Sequence, residues 1–190
     1  MLRAEDLYVR IANTEILRGI SLEVDKERIV GLVGRNGAGK STTFKTIMGF
    51  YKPQKGKIDL EGKDITDTPV HTRVKMGIGY TPEDMRVFPW LTVKENIELA
   101  LYLSKNMDRK QEIMDRIFTI FPELKKLMDR YGYHLSGGEK KMTAIARTLA
   151  TSPKYLLLDE AFEGLAPVVV RRFKEAINLI KEMGIGVVIA

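Results

Sequence analysis

Residues 34 to 41 read GRNGAGKS, and the apolar run RIVGLVG that precedes them ends on the first of those glycines. The octet fits G-x-x-x-x-G-K-[ST] at every fixed position, and KSTTFKTIMGF behind it reads as a helix. Strand, glycine-rich turn and helix form the context this pattern needs before it carries chemistry. Glycines let the backbone curl until its N–H groups point inward at phosphate oxygens, and the helix N-terminus adds about half a positive charge. Lys40 then reaches the β- and γ-phosphates, while the Ser41 hydroxyl faces Mg²⁺. The predicted nucleotide-binding set is Gly34, Arg35, Asn36, Gly37, Ala38, Gly39, Lys40, Ser41 and Thr42. The plain alternative is a glycine-rich turn with Lys40 solvated and Ser41 as a cap; the flanking strand and helix weigh against it.

A second stretch completes the ion-handling set. KYLLLDE, residues 154 to 160, is a short apolar strand ending in two carboxylates. A phosphate loop needs a carboxylate at the end of a neighbouring strand to hold Mg²⁺, and Asp159 is placed for that. Glu160 follows immediately and points another way, where it polarises a water for in-line attack on the γ-phosphate. Glu160 and Lys40 are therefore the predicted catalytic residues. These motifs alone leave a kinase, a GTPase and many ATPases open. The N-K-x-D that reads guanine is absent, and no arginine-bearing lid of a small-molecule kinase stands out.

The rest of the chain is consistent with an α/β core. Its 190 residues suffice for one domain, and 44% hydrophobic with 29% charged residues is a globular composition, not a disordered one. A net charge of +6 is compatible with phosphates, anionic lipid or nucleic acid, but no block of consecutive Lys or Arg favours any of them. The absence of cysteine removes disulfides and thiolate metal sites, and the two histidines, His71 and His134, form no ligand pattern. The first residues lack the apolar core of a signal peptide, and no apolar run approaches a membrane span, so the expected compartment is the cytoplasm. DLYVRIANTEILRGISLEV reads as two antiparallel strands around a turn at Ala12–Asn13. GKIDLEGKDI reads as a strand and turn, and MGIGYTP as a strand broken by Pro82. Residues 92 to 128 read as mainly helical, with Thr92 and Glu95 as a cap and Ile113, Met114, Ile117, Phe118 and Phe121 as a stripe. Val169, Phe173, Ala176, Ile177 and Ile180 stripe another helix, and GIGVVIA begins a last strand.

HLSGGEKKMTAIA, residues 134 to 146, settles the choice among nucleotide enzymes. Ser136 and Glu139 make an S-x-x-E capping box, but the glycines between them cost about 1 kcal/mol each against alanine inside a helix. Here the sequence resembles the ATP-binding subunit of ABC transporters, whose LSGGE-type signature lies between phosphate loop and Walker B strand, and the resemblance covers essentially the whole chain. It implies a P-loop NTPase core with an N-terminal antiparallel β subdomain and an α-helical insert at about residues 84–135, forming one domain over 1–190. It also implies that Ser136, Gly137, Gly138 and Glu139 close over ATP held by a second ATPase subunit, homo- or heterodimeric. Gly137 and Gly138 N–H groups and the Ser136 hydroxyl would form a second anion-binding nest.

Other roles follow from the same resemblance. The Q-loop falls at YTPED, with Glu83 where glutamine is usual; a carboxylate still reaches metal, so the expected metal set is Ser41, Glu83 and Asp159. The adenine-stacking aromatic falls near Ile11, an aliphatic residue, with Tyr8 a poorer substitute on the opposite strand face. The D-loop, AFEGLAP, has Ala161 for proline and Ala166 for aspartate. YTPEDMRVFPWLTVKENI, the stretch through LSGGEKKMTAIARTLA and FEGLAPVVV look like ATPase subunits of branched-chain amino acid importers; related subunits move urea or lipopolysaccharide, and non-transport ABC ATPases are a further alternative. The implied partners are a second ATPase subunit and transmembrane permease subunits, at the cytoplasmic face of the membrane, with no nucleic acid. The helical insert would receive the permease, and Phe88, Pro89, Trp90 and Leu91 are either its docking patch or ordinary packing between insert and core. The family's switch residue, usually histidine, would fall a few residues beyond Ala190. The expectation is therefore a C-terminally truncated domain that binds ATP and Mg²⁺ and hydrolyses weakly.

Overall fold

A computed structural model describes Met1–Ala190 as two four-stranded sheets flanked by helices. The first sheet is antiparallel, in the order β2-β1-β4-β5, from β1 (Leu2–Ile11), β2 (Thr14–Val24), β4 (Lys55–Leu60) and β5 (Lys63–Asp64). Ala12 and Asn13 both have positive φ, 45° and 66°, the geometry of a two-residue hairpin turn whose twist matches the strands it joins. Along β1 the residues Leu2, Ala4, Leu7 and Val9 are buried. That spacing breaks strict alternation, and the register against β2 slips between Ala4 and Leu7. Asp6, with φ 46°, occupies the slip, and its N–H donates to Ser21 Oγ at 2.9 Å. The bulge keeps both halves of the strand facing the same core.

The second sheet is parallel, β3-β8-β7-β6, built from β3 (Ile29–Gly31), β6 (Ile78–Thr81), β7 (Tyr155–Leu158) and β8 (Gly186–Ile189). Strand β7 is buried throughout, and its alternate residues serve two cores. Leu156 and Leu158 pack with the helical side, while Tyr155 and Leu157 pack with the antiparallel sheet and α1 (Lys40–Met48). A strand covered on both faces reads as an unbroken apolar run, as YLLL does.

The helical side contains α3 (Val93–Leu103), α4 (Lys110–Ile120), α5 (Gly137–Leu149) and α6 (Pro167–Glu182). Thr92 caps α3 in a complete box with Glu95. Ile113, Met114 and Ile117 form the buried stripe of α4, Phe118 is partly buried, and Phe121 packs just past the helix end. Phe173, Ala176, Ile177 and Ile180 are the buried face of α6, with Val169 half-buried at its margin. The insert differs from the expectation in one respect. Residues 84–92 are irregular, helix begins at Val93, and the insert's apolar side chains share one cluster with α5, α6 and β7. It is an extension of the main core with no core of its own. Helix α2 (Val70–Lys75) has no counterpart in the sequence reading, because its six residues are too few to show a period.

Candidate functional site

The phosphate loop leaves β3 at one edge of the parallel sheet and turns into α1. Gly39 is the N-cap of α1 with φ 96°, and a Cβ there would lie 2.8 Å from Leu17 Cδ2. Glycine is therefore required twice, for the left-handed backbone and for contact with β2. Ala38 N–H donates to the Arg35 carbonyl at 3.0 Å, but the N–H groups of Asn36, Gly37, Gly39, Lys40, Ser41 and Thr42 find no backbone acceptor. The loop is exposed, and a Cβ on Gly37 would meet nothing within 4 Å. A curl of free donors at a helix N-terminus fits a polyphosphate. Lys40 Nζ folds back on the loop, donating to the carbonyls of Gly34 at 3.0 Å and Arg35 at 3.3 Å.

Asp159 follows β7, which is separated from β3 by β8 alone. Despite a gap of 118 residues, Ser41 Oγ donates to Asp159 Oδ1 at 3.0 Å. Tyr80, on the neighbouring strand β6, donates its hydroxyl to Asp159 Oδ2 at 3.1 Å. Burial and the Asp159 charge push the Tyr80 phenol well above the usual tyrosine range, so it remains a donor. Ser41 and Asp159 supply two hard oxygen ligands, and a six-coordinate Mg²⁺ there would take the others from phosphate and water.

Glu160 sits one residue on, with φ 48°. A hydrogen bond with the Glu163 carboxyl, then burial, then the charges of Glu83, Glu163 and Asp159 push its pKa up to about 7. A carboxylate that takes protons near neutrality is suited to general-base work. The exposed Glu83 acts on this corner through its charge, on Glu160 and on Lys141 alike. Lys141, on α5 and 7% exposed, donates from Nζ to the carbonyls of Glu160 and Glu163, each at 2.7 Å. Further along α5, Arg147 donates to the carbonyls of Met85 at 3.0 Å and Arg86 at 2.5 Å, in the loop after Glu83.

At the other end of α5, Ser136 is the N-cap in a complete capping box. Its N–H donates to Glu139 Oε2 at 2.8 Å, while its hydroxyl accepts weakly from Glu139 N–H at 3.4 Å, leaving the hydroxyl proton free. The Ser136 N–H and burial act in opposite senses on Glu139, and the hydrogen bond wins, holding the carboxyl below the ordinary glutamate range. The signature residues make no hydrogen bond to the phosphate loop of their own chain. Ile11 ends β1, half-buried against the antiparallel sheet's core; Tyr8 lies against Gly19, where a Cβ would come within 2.9 Å of its hydroxyl oxygen.

Tyr80, Lys141 and Glu163 were not legible as site residues. The one signal was Lys141 itself, a charged residue in phase with Ile145 and Leu149 on the apolar side of a helix.

Fold and geometry together define a P-loop nucleotide-binding protein with one complete phosphate cradle and a separate, outward-facing signature turn. The chain belongs to the ABC transporter family, whose sequence profile matches residues 17–163. It is 39% identical over 191 residues, 100% of this chain and 79% of the relative, to the lipopolysaccharide export system ATP-binding protein LptB of Haemophilus influenzae. It is 36% identical over 194 residues, 99% of this chain and 78% of the relative, to the protein of the same name in Escherichia coli. Among solved structures, an ATP-binding subunit of an ABC transporter superposes with TM-score 0.85 at 29% identity, over 100% of this chain and 78% of that one. The ADP conformation of the ATP-binding cassette MJ1267 superposes with TM-score 0.82 at 31% identity, over 100% of this chain and 80% of that one. The expected α/β ATP-binding cassette fold is thus confirmed, as is its class as an ABC ATPase. The expected likeness to branched-chain amino acid importers is not: the named relatives with an assigned cargo are lipopolysaccharide exporters.

Proposed function

We propose that this chain is the ATP-hydrolysing subunit of an ABC transport system and works by closing with a second ATPase subunit over two shared nucleotides. One observation carries the reading. Gly137 and Gly138 have ordinary helical φ, and a Cβ would meet nothing at Gly137 and only Val169 Cγ1, at 3.4 Å, at Gly138. Nothing within the chain uses the missing side chains, so packing gives no reason for glycine over a better helix former in the first turn of α5. An outside ligand that needs close backbone approach does use them, and a helix N-terminus with a free serine hydroxyl selects an anion. In this reading Gly34 to Thr42 hold the triphosphate, Ser41 and Asp159 hold Mg²⁺ with Glu83 nearby, and Glu160 orients the attacking water.

Phe88 and Trp90 are 46% and 77% exposed, and Trp90 lies 5.3 Å from the exposed Tyr133 ring, a patch suited to an apolar permease segment. No helix is long and apolar enough to cross a membrane, so the transport path would lie in that partner. Of the cargo classes, the LptB relatives favour a lipopolysaccharide-type amphiphile over a branched-chain amino acid.

The test is solution mass for Glu160→Gln with ATP and Mg²⁺. Dimers that form only with nucleotide, and that Gly137→Asp or Ser136→Arg prevents, are expected; dimers indifferent to Gly137→Asp would refute the arrangement. For cargo, ATPase of the protein reconstituted with its permease should rise with lipopolysaccharide and not with leucine.

A further inference from the structure

We propose that Lys141 is a positioning residue: its ammonium holds the loop carrying Glu160 so that the carboxylate faces the nucleotide. The inference deepens the reading above, since it takes Glu160 as the water-orienting group.

The grounds are geometric. Lys141 is nearly sealed from solvent, yet it makes no hydrogen bond or ion pair to a carboxylate; both of its bonds go to main-chain carbonyls, Glu160 O and Glu163 O. Those carbonyls bracket the turn in which Glu160 adopts φ 48° and Glu163 N–H reaches back to Glu160 O at 3.3 Å. A left-handed conformation at a non-glycine residue costs about 1–3 kcal/mol and persists only where its surroundings enforce it. The long backbone bond is too weak to do so alone. Two short bonds from a buried cation supply the constraint, because charge-assisted donors are about twice as strong as neutral ones. Without them Glu160 can relax to negative φ, which swings its side chain away.

Lys141 also lies on the helix that begins at the signature. It lies five positions beyond Ser136, about 7.5 Å along the axis at 1.5 Å per residue. One rigid element therefore carries the turn aimed at a neighbour's nucleotide and the grip on this chain's own carboxylate.

The experiment uses the full chain with Lys141→Met, which keeps the stem, and Lys141→Arg, which keeps the donors. Single-turnover ATP hydrolysis in Lys141→Met should fall about tenfold or more, with ATP affinity within about twofold of the parent, since about 1.4 kcal/mol of positioning equals one factor of ten. The Glu163 amide, the N–H of this turn with a backbone acceptor, should exchange about tenfold faster, with the remaining amides unchanged, and Lys141→Arg should recover most of both losses. Equal loop exchange in Lys141→Met and the parent would overturn the proposal, as would a Lys141→Arg variant no better than Lys141→Met. Faster exchange spread across the whole chain would also overturn it, by showing a general stability role. The two readings fail separately. Absence of ATP-dependent dimers in Glu160→Gln alone would count against the shared-nucleotide arrangement, while the exchange measurement still judges Lys141.

Discussion

Replacing Arg73 by methionine tests how the phosphate-loop helix is closed at its far end. Arg73, on α2, is 1% exposed and donates only to carbonyls: Thr68 at 2.8 Å, Thr46 at 3.1 Å, Ile47 at 2.7 Å and Thr66 at 2.7 Å. Thr46 and Ile47 lie in the last turn of α1, where helical carbonyls lack partners. Thr46 O keeps a second donor in Gly49 N–H at 2.9 Å, but Ile47 O has no other in the chain. Bonds from a charged donor contribute about 1.5–3 kcal/mol each. Most of that is offset by taking the guanidinium out of water, a penalty of several kcal/mol. What methionine leaves behind is one buried unpaired carbonyl, at about 1–3 kcal/mol, and two partly buried ones that water reaches at lower cost. The expected loss is about 3 kcal/mol, seen as a lower urea midpoint at unchanged slope and a melting temperature lower by about 6–12 °C. ATP affinity below the transition should stay put, because the phosphate loop lies at the opposite end of α1. A loss under about 1 kcal/mol would refute the argument, since the carbonyls would then be satisfied without Arg73.

Gly39→Ala must accept φ 96° and a Cβ 2.8 Å from Leu17 Cδ2, so it should cost about 1–3 kcal/mol in a denaturant melt and weaken ATP binding in a nucleotide titration. Tyr80→Phe removes the donor to Asp159 Oδ2 and keeps the ring; the Mg²⁺ concentration supporting half-maximal ATP binding should shift by about three- to tenfold, the scale of one hydrogen bond. The Glu139 carboxyl is held below its ordinary range mainly by the Ser136 N–H, so the capping box contributes stability that is fully present above the unfolded glutamate pKa. That contribution should disappear as pH falls through the lower folded pKa, read as a lower protection factor at the Glu139 amide in acid, after correction for the intrinsic pH dependence of exchange, than at neutral pH.

The sequence was most transparent where chemistry is local. Gly34 to Ser41 carry their own explanation, because strand, curl and helix N-terminus are contiguous, and Asp159 is recognisable as the acid ending an apolar strand. The bond from Ser41 to Asp159 could be anticipated only by knowing that two strands separated in sequence lie one strand apart in the sheet. Both capping boxes were legible because the reciprocal bonds span three residues. Cargo was not legible: the stretches that suggested an importer run through the helical insert and the signature turn, and none of their residues could be tied to the chemistry of a transported molecule.

Three residues that were not legible share a physical reason. Arg73, Lys141 and Arg147 are cations whose partners are main-chain carbonyls of distant loops. A salt bridge leaves two marks in a sequence, one of each sign, and pattern reading can search for the pair. A carbonyl acceptor leaves none, because every residue has one and the loop's conformation alone decides which is offered. Such cations can be recognised beforehand only by their own position, as Lys141 could be on the apolar side of α5. The loops they hold are the ones this protein must keep in shape: the end of the phosphate-loop helix, the turn bearing Glu160, and the segment after Glu83. A charged side chain on an apolar helix face near such loops is therefore better read as a main-chain clamp than as an unpaired charge, and the Lys141 and Arg73 substitutions put that reading at risk in two independent places.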